Sequence, residues 1–185
     1  MSSKVGDLIV GSGYIVQRGG GKDYSVFKAR SDGSLTEVTA EMLDGITTIA
    51  GIAFYGCPSL KSVIIPNSVR SIQMSAFASC QALKSVTIPS SVTWIMESAF
   101  YSCSALTSVT IPSSVTNIGS SAFRDCSVLA SVTVEATTPP TLGNNVFSNT
   151  SSNLVIYVPS ESVGTYKSAS VWSTYASKIH AIPST

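Results

Sequence analysis

Apolar residues return along this chain in a fixed order that neither a helix nor a strand would sustain alone. In residues 83–105, LKSVTIPSSVTWIMESAFYSCSA, the order is Leu83, Val86, Ile88, Val92, Ile95, Ala99, Phe100, Cys103. Residues 60–82 (LKSVIIPNSVRSIQMSAFASCQA) and 106–128 (LTSVTIPSSVTNIGSSAFRDCSV) write the same order again. Val86 and Ile88 alternate with Ser85 and Thr87, which predicts a half-buried strand with its hydroxyls outward. Pro89 ends that strand, because proline has no N–H to give to a ladder. After a turn through Ser90 and Ser91, Val92 and Ile95 return to the core. Ser98 then predicts the cap of a short helical turn in which Ala99, Phe100 and Cys103 face inward. Leu106 opens the next strand.

The period is 23 residues, kept by Cys57, Cys80, Cys103 and Cys126 and by Phe54, Phe77, Phe100 and Phe123. A strict repeat of this length means stacked units, each too small to bury its own apolar face and dependent on its neighbours. Each core residue type should therefore form a continuous internal column. The first copy is degraded: Leu35, Val38, Ile46, Ile49, Ala53, Phe54 and Cys57 are in register, with two extra residues between Leu35 and Leu60. Beyond Cys126 the pattern persists in Leu129, Val132, Val134, Leu142 and Phe147, but ATTPPT adds a residue and Thr150 replaces cysteine.

The ends differ from the array. Residues 1–34 hold the clusters Leu8-Ile9-Val10, Tyr14-Ile15-Val16 and Tyr24 to Phe27, separated by Gly11-Ser12-Gly13 and Gly19-Gly20-Gly21. These predict short strands in hairpins, with a further turn at Ser31-Asp32-Gly33-Ser34. A last strand over residues 153–158 ends at Pro159. Ser160-Glu161 then opens a helical segment with Val163 and Tyr166 on one face, followed by Trp172, Tyr175 and Ile179 at helical spacing. Trp172 and the tail tyrosines fit core anchors better than a ligand cage. The expected division is a cap over residues 1–34, an array over 35–153 and a terminal strand with a helical cap over 154–185.

Composition narrows the functions. Of 185 residues 44% are hydrophobic and 11% charged, yet no apolar run approaches the ~18 residues of a membrane helix. With a net charge of +1 and no basic cluster there is no stripe to track phosphates, so neither nucleic acid nor membrane insertion is expected. The N-terminus lacks a cationic start and a long apolar run. Either the chain is not exported, or a leader precedes it in the native product.

Candidate chemistry is sparse. Gly21-Lys22 fails the phosphate-loop pattern at Val16 and Asp23, and Gly11-x-Gly13 fails the dinucleotide fingerprint, again at Val16. The cysteines stand one whole repeat apart, unlike close zinc-ligand pairs. Spacing alone leaves a disulfide open, but side chains stacked in one column point the same way, and buried free thiols acting as small hydrophobes are expected. His180 has no acid in the immediate sequence to orient it, and the ten carboxylates form no recurring acid–base pair. The expectation is a chain that is not an enzyme and carries no cofactor or metal.

The string LxSVTIPxSVxxIxxSAFxxCxx resembles the BspA-like leucine-rich repeat family across roughly residues 35–159. The resemblance implies an α/β solenoid: a right-handed superhelix with a parallel β-sheet on one face, short helical turns opposite, a β-hairpin cap first and a helical cap last. The ninth position departs from the wider leucine-rich pattern, since Asp44, Ser68, Ser91 and Ser114 stand where many such repeats bury asparagine or cysteine. No asparagine ladder is expected. What the family implies about function is a bacterial surface or secreted adhesion module; the expected activity is non-catalytic binding of a protein or glycan by a monomer. The alternative is an intracellular or phage-borne interaction scaffold in the cytoplasm.

Binding would fall on outward positions. The predicted sheet face presents Ser62, Ile64, Ser85, Thr87, Ser108, Thr110, Ser131 and Thr133, a floor of short hydroxyl arms. Serine and threonine are also ordinary exposed strand residues, and their stacked order resembles the hydroxyl arrays of ice-binding solenoids. Between Val92 and Ile95 the units vary more, and one places Trp94 there. With Met74, Met96 and Tyr101 it makes a candidate contact patch, unless the indole packs across its neighbouring coil.

Overall fold

A computed structural model describes residues 35–184 in full and, of the first 34, the backbone of four strands. Those strands are β1 (Ser3–Val5), β2 (Leu8–Gly11), β3 (Tyr14–Arg18) and β4 (Tyr24–Phe27), paired antiparallel in chain order. The three apolar clusters are thus strands. The turns expected around Ser12, Gly20 and Asp32 lie outside the described residues.

Each following coil contributes two short strands. They are β5 (Glu37–Val38) and β6 (Thr48–Ile49), β7 (Ser62–Ile64) and β8 (Ser71–Ile72), β9 (Ser85–Thr87) and β10 (Trp94–Ile95). Then come β11 (Ser108–Ile111) and β12 (Asn117–Ile118), β13 (Ser131–Val134) and β14 (Thr141–Leu142). The chain finishes with β15 (Val155–Val158), the helix α1 (Val163–Ser168), a 3-10 segment over Trp172–Lys178 and β16 (Ile179–Ala181). All pairing within the array is parallel and links residues one repeat apart, as in Ser62 with Ser85 and Trp94 with Asn117. The fold is the leucine-rich-repeat solenoid that the repeat implies.

The coil is three-sided. One side carries β5, β7, β9, β11, β13, β15 and β16; the second carries the five-stranded sheet β14-β12-β10-β8-β6. The third side departs from expectation. Residues 98–103 form no helix, and Ser98 does not cap one: it has φ +56° and donates its N–H to Ser120 O at 3.0 Å. Phe100 N–H reaches Ala122 O at 2.8 Å and Ser102 N–H reaches Arg124 O at 2.9 Å, while Tyr101 and Cys103 close tight turns onto Ser98 O and Phe100 O. Left-handed residues at Ser75 and Ser79, Ser98 and Ser102, Ser121 and Asp125, Asn145 and Asn149 repeat the device in each coil. With left-handed residues at Ser98 and Ser102, every second N–H turns toward the next coil while those between close local turns, a geometry that a helix, which satisfies its bonds internally, does not have. Three bonds between coils offset the conformational cost of two left-handed residues in each.

Between the three sides the apolar columns line up. Phe54, Phe77, Phe100, Phe123 and Phe147 stack with centroids 5.0, 5.3, 5.2 and 5.9 Å apart and ring planes within 1°, 4°, 5° and 13° of parallel. Trp172 lies tilted on Phe147 and edge-on to Tyr166, ending the column. Tyr166 donates its hydroxyl to Ala136 O at 2.7 Å, and Trp172 donates Nε1–H to Pro140 O at 2.8 Å. The two tail aromatics therefore pin both ends of the irregular segment Ala136-Thr137-Thr138-Pro139-Pro140. Burial of the Tyr166 ring holds its hydroxyl well above the usual phenol range, which fits a donor committed to a carbonyl.

The cysteine column lies buried beside the phenylalanines, and all four thiols are free. Cys80, Cys103 and Cys126 donate to Phe54, Phe77 and Phe100 carbonyls at 3.0, 3.2 and 3.2 Å. Hydrogen bonding to a neighbouring thiol, Cys57 for one and Cys126 for the other, together with burial pushes Cys80 and Cys103 far above the ordinary thiol range. A thiol reagent should accordingly react slowly with the native protein and with all four cysteines once it is unfolded without reductant. A count below four would show a disulfide.

The ninth position supplies a ladder of another kind. Ser91 and Ser114 donate their hydroxyls to Val69 O and Val92 O of the preceding coil, both at 2.7 Å. Ser68, the equivalent residue one coil earlier, buries its hydroxyl without a partner.

The first side is not continuous. β5, β7 and β9 form one sheet and β11, β13, β15 and β16 another. Lys61 N–H bonds Thr36 O, Lys84 N–H bonds Lys61 O and Ala130 N–H bonds Thr107 O, but among the described residues Thr107 makes no such bond to Lys84. At this seam Val86 is 8% exposed where Val63 and Val132 are 1% and 0%. The second and third sides run through it unbroken.

Candidate binding surface

Hydroxyl residues occupy the first side in two outward columns. Ser62, Ser85, Ser108 and Ser131 form one, headed by Glu37 and ending at Val155; Thr87, Thr110 and Thr133 belong to the other, with Ile64 before them and Tyr157 and His180 after. Ser85, Thr87, Ser108 and Thr110 are exposed, whereas Ser62, Ser131 and Thr133 are half-buried. The seam between β9 and β11 falls in the middle of both columns. Together with Ile64 and Tyr157 it interrupts the even hydroxyl spacing that an ice lattice would need.

Trp94 stands on the second side, in β10, with its side chain 48% exposed. In register with it are Ser71 on β8 and Asn117 on β12. Both are too short to cover an indole, so the ring faces solvent instead of packing across a coil. Met96 lies half-buried at the bend just after β10. Met74 is 53% exposed and belongs to the opening of the third side, where its carbonyl accepts Ile52 N–H. Tyr101 is on the third side proper, its hydroxyl near enough to Asp125 to help hold that carboxyl below its usual range. The expected patch is therefore divided over two sides of the coil.

Around Asp125 the third side carries a small polar cluster. Asn149 donates Nδ2–H to Asp125 Oδ1 at 2.6 Å, and Arg124 Nε lies 3.7 Å from Oδ2. The Asn149 bond first, then Tyr101 and the Arg124 charge, hold the Asp125 carboxyl below its usual range. The cluster ties three coils together at the surface. Its partners were not legible as a motif, because Tyr101, Asp125 and Asn149 meet only through the repeat spacing.

His180 is exposed on the terminal strand beside Tyr157. Among the described residues no three His, Cys, Asp or Glu side chains gather as metal ligands would. No described helix is long and apolar enough to cross a membrane.

Comparison with known proteins places this geometry. The model for the BspA type leucine-rich repeat region matches residues 30–170 in six copies. A leucine-rich repeat protein of T. pallidum superposes with a TM-score of 0.69 and 26% identity, over 83% of this chain and 71% of that one. The pneumococcal vaccine antigen PcpA superposes at 0.67 with 16% identity, over 95% of this chain and 46% of the antigen. A leucine-rich cell surface protein of Faecalibacterium prausnitzii follows at 0.53 with 22% identity, covering 85% and 54%. The last two likenesses show the fold alone, and this chain spans about half of each of those proteins. No curated protein sequence matches. A model match over most of the chain, the columns of core residues and the parallel coils agree, and the chain belongs to the BspA-type leucine-rich repeat family.

Proposed function

We propose that this chain is a non-catalytic adhesion or interaction module displayed at a bacterial surface, where it recognises an extracellular protein or a glycan. Leucine-rich-repeat coils form an interaction fold, and one observation carries the finer reading. The inward columns repeat almost without change while outward positions such as Ser71, Trp94 and Asn117 differ from coil to coil, and the substitution at Trp94 exposes a large aromatic. Exposed aromatic area costs solubility and is characteristic of binding sites. The descriptions of a vaccine antigen and a cell surface protein among the structural neighbours support the surface location.

Two measurements test the proposal. Limited proteolysis of intact producing cells should remove the protein from the surface fraction, and the purified chain should bind members of an array of extracellular proteins and glycans. Retention in the cytosolic fraction together with an empty array would refute it.

A further inference from the structure

We propose that Trp94 is the stacking platform of a subsite for a neutral sugar ring, flanked by Ser71 and Asn117 on the second sheet. This rests on the reading of the chain as a binding module and names the ligand class of one site within it. The outward row across the sheet is Thr48, Ser71, Trp94, Asn117, Thr141. It is a run of short hydrogen-bonding side chains with one indole at its centre.

Neighbouring strands lie ~4.8 Å apart, so polar groups stand on both flanks of the ring at about the width of a pyranose. A sugar lays its C–H face on an aromatic plane and turns its hydroxyls outward at the rim, where this row meets them. On one flank the polar groups are already ordered: Gln73 donates Nε2–H to Ser71 Oγ at 2.9 Å, and Ser71 donates on toward Thr48 Oγ1 at 3.5 Å. On the other flank the half-buried Asn117 amide has no protein partner among the described residues. It offers both a donor and an acceptor beside the exposed face of the indole.

Charge and area select the class. No member of the row is ionisable, which favours a neutral hexose or N-acetylhexosamine over an acidic sugar. A specific protein partner needs roughly 800 Å² from each side around an apolar centre. About half of one tryptophan, itself ~250 Å² at most, set among short polar side chains matches a ring and falls short of a protein footprint. Met74 and Ile52 do not enlarge it, since they open the adjoining side.

The chain's two tryptophans give the test its own control. Trp172 is 1% exposed and hydrogen-bonded, so acrylamide should quench only Trp94. Titrating the full chain with neutral hexose and N-acetylhexosamine tetrasaccharides should shift Trp94 emission to the blue and shield it from acrylamide for at least one of them. Trp94→Ala, which should keep the wild-type circular dichroism and melting temperature, should weaken that binding at least about tenfold. Asn117→Ala should weaken it with the fluorescent ring still present, and Thr107→Ala, at an exposed first-side position outside the candidate surface, should change nothing. Silence of Trp94 toward every neutral sugar at millimolar concentration overturns the subsite, as does sugar binding that survives Trp94→Ala. An extracellular protein that protects Trp94 where sugars do not also overturns it. In the last two outcomes the binding-module reading stands.

Discussion

Phe100→Ala should lower the free energy of unfolding by about 3–5 kcal/mol. The ring is fully buried and lies between Phe77 and Phe123, with centroids 5.3 and 5.2 Å away. Truncation removes the transfer energy of the side chain and leaves a cavity that a close-packed column cannot collapse to fill. It also deletes two aromatic contacts, each worth about 0.5–1.5 kcal/mol beyond burial. Thr87→Ala, on an exposed position of β9, should stay within roughly 0.5 kcal/mol of wild type. Urea unfolding of the three proteins with a common slope measures both. Equal losses would contradict the inward and outward facing on which the fold rests.

Gly119→Ala should be the second large effect, on the order of 1–3 kcal/mol or more. A Cβ there would lie 2.4 Å from Glu97 N and 2.6 Å from Met96 C, and Gly143 meets Ser120 N in the same way at 2.3 Å. The obstructing atoms are backbone, so no side chain can swing aside. The coils must separate, at the cost of the 2.8 Å bond from Gly119 N–H to Ile95 O. Earlier coils carry Gln73 and Met96 at this bend, so the restriction starts only at Gly119. The melting temperature of Gly119→Ala set against that of Thr107→Ala, an exposed first-side control, measures it. Equal values would mean that the bend has slack.

Much of this architecture was readable because burial follows identity. The counterparts of Leu83, Val86 and Phe100 are buried in every copy, so a period and a side-chain inventory suffice to place them. The third side resisted reading for a physical reason. Ser98 before Ala99 and Phe100 is a helix-cap pattern by local propensity, and only the adjacent coil, offering Ser120 O, makes the left-handed conformation worthwhile. The serine ladder was missed similarly. Ser91 looked like the loss of a buried asparagine, whereas stacking brings Val69 O close enough for a hydroxyl to reach. Of the candidate surface, the sequence leaves Trp94 open between solvent and packing across its coil, and it does not separate Trp94 from Tyr101, because sequence distance does not say where a coil turns its corners.

The seam between β9 and β11 has a mechanical meaning. If the molecule is held at its two ends and stretched, load passes through every interface between coils in series, and the interface with the fewest main-chain bonds yields first. Rupture should therefore begin between Ser85–Thr87 and Ser108–Ile111, leaving the phenylalanine stack, the second sheet and third-side bonds such as Phe100 N–H to Ala122 O as the last tethers between the two blocks.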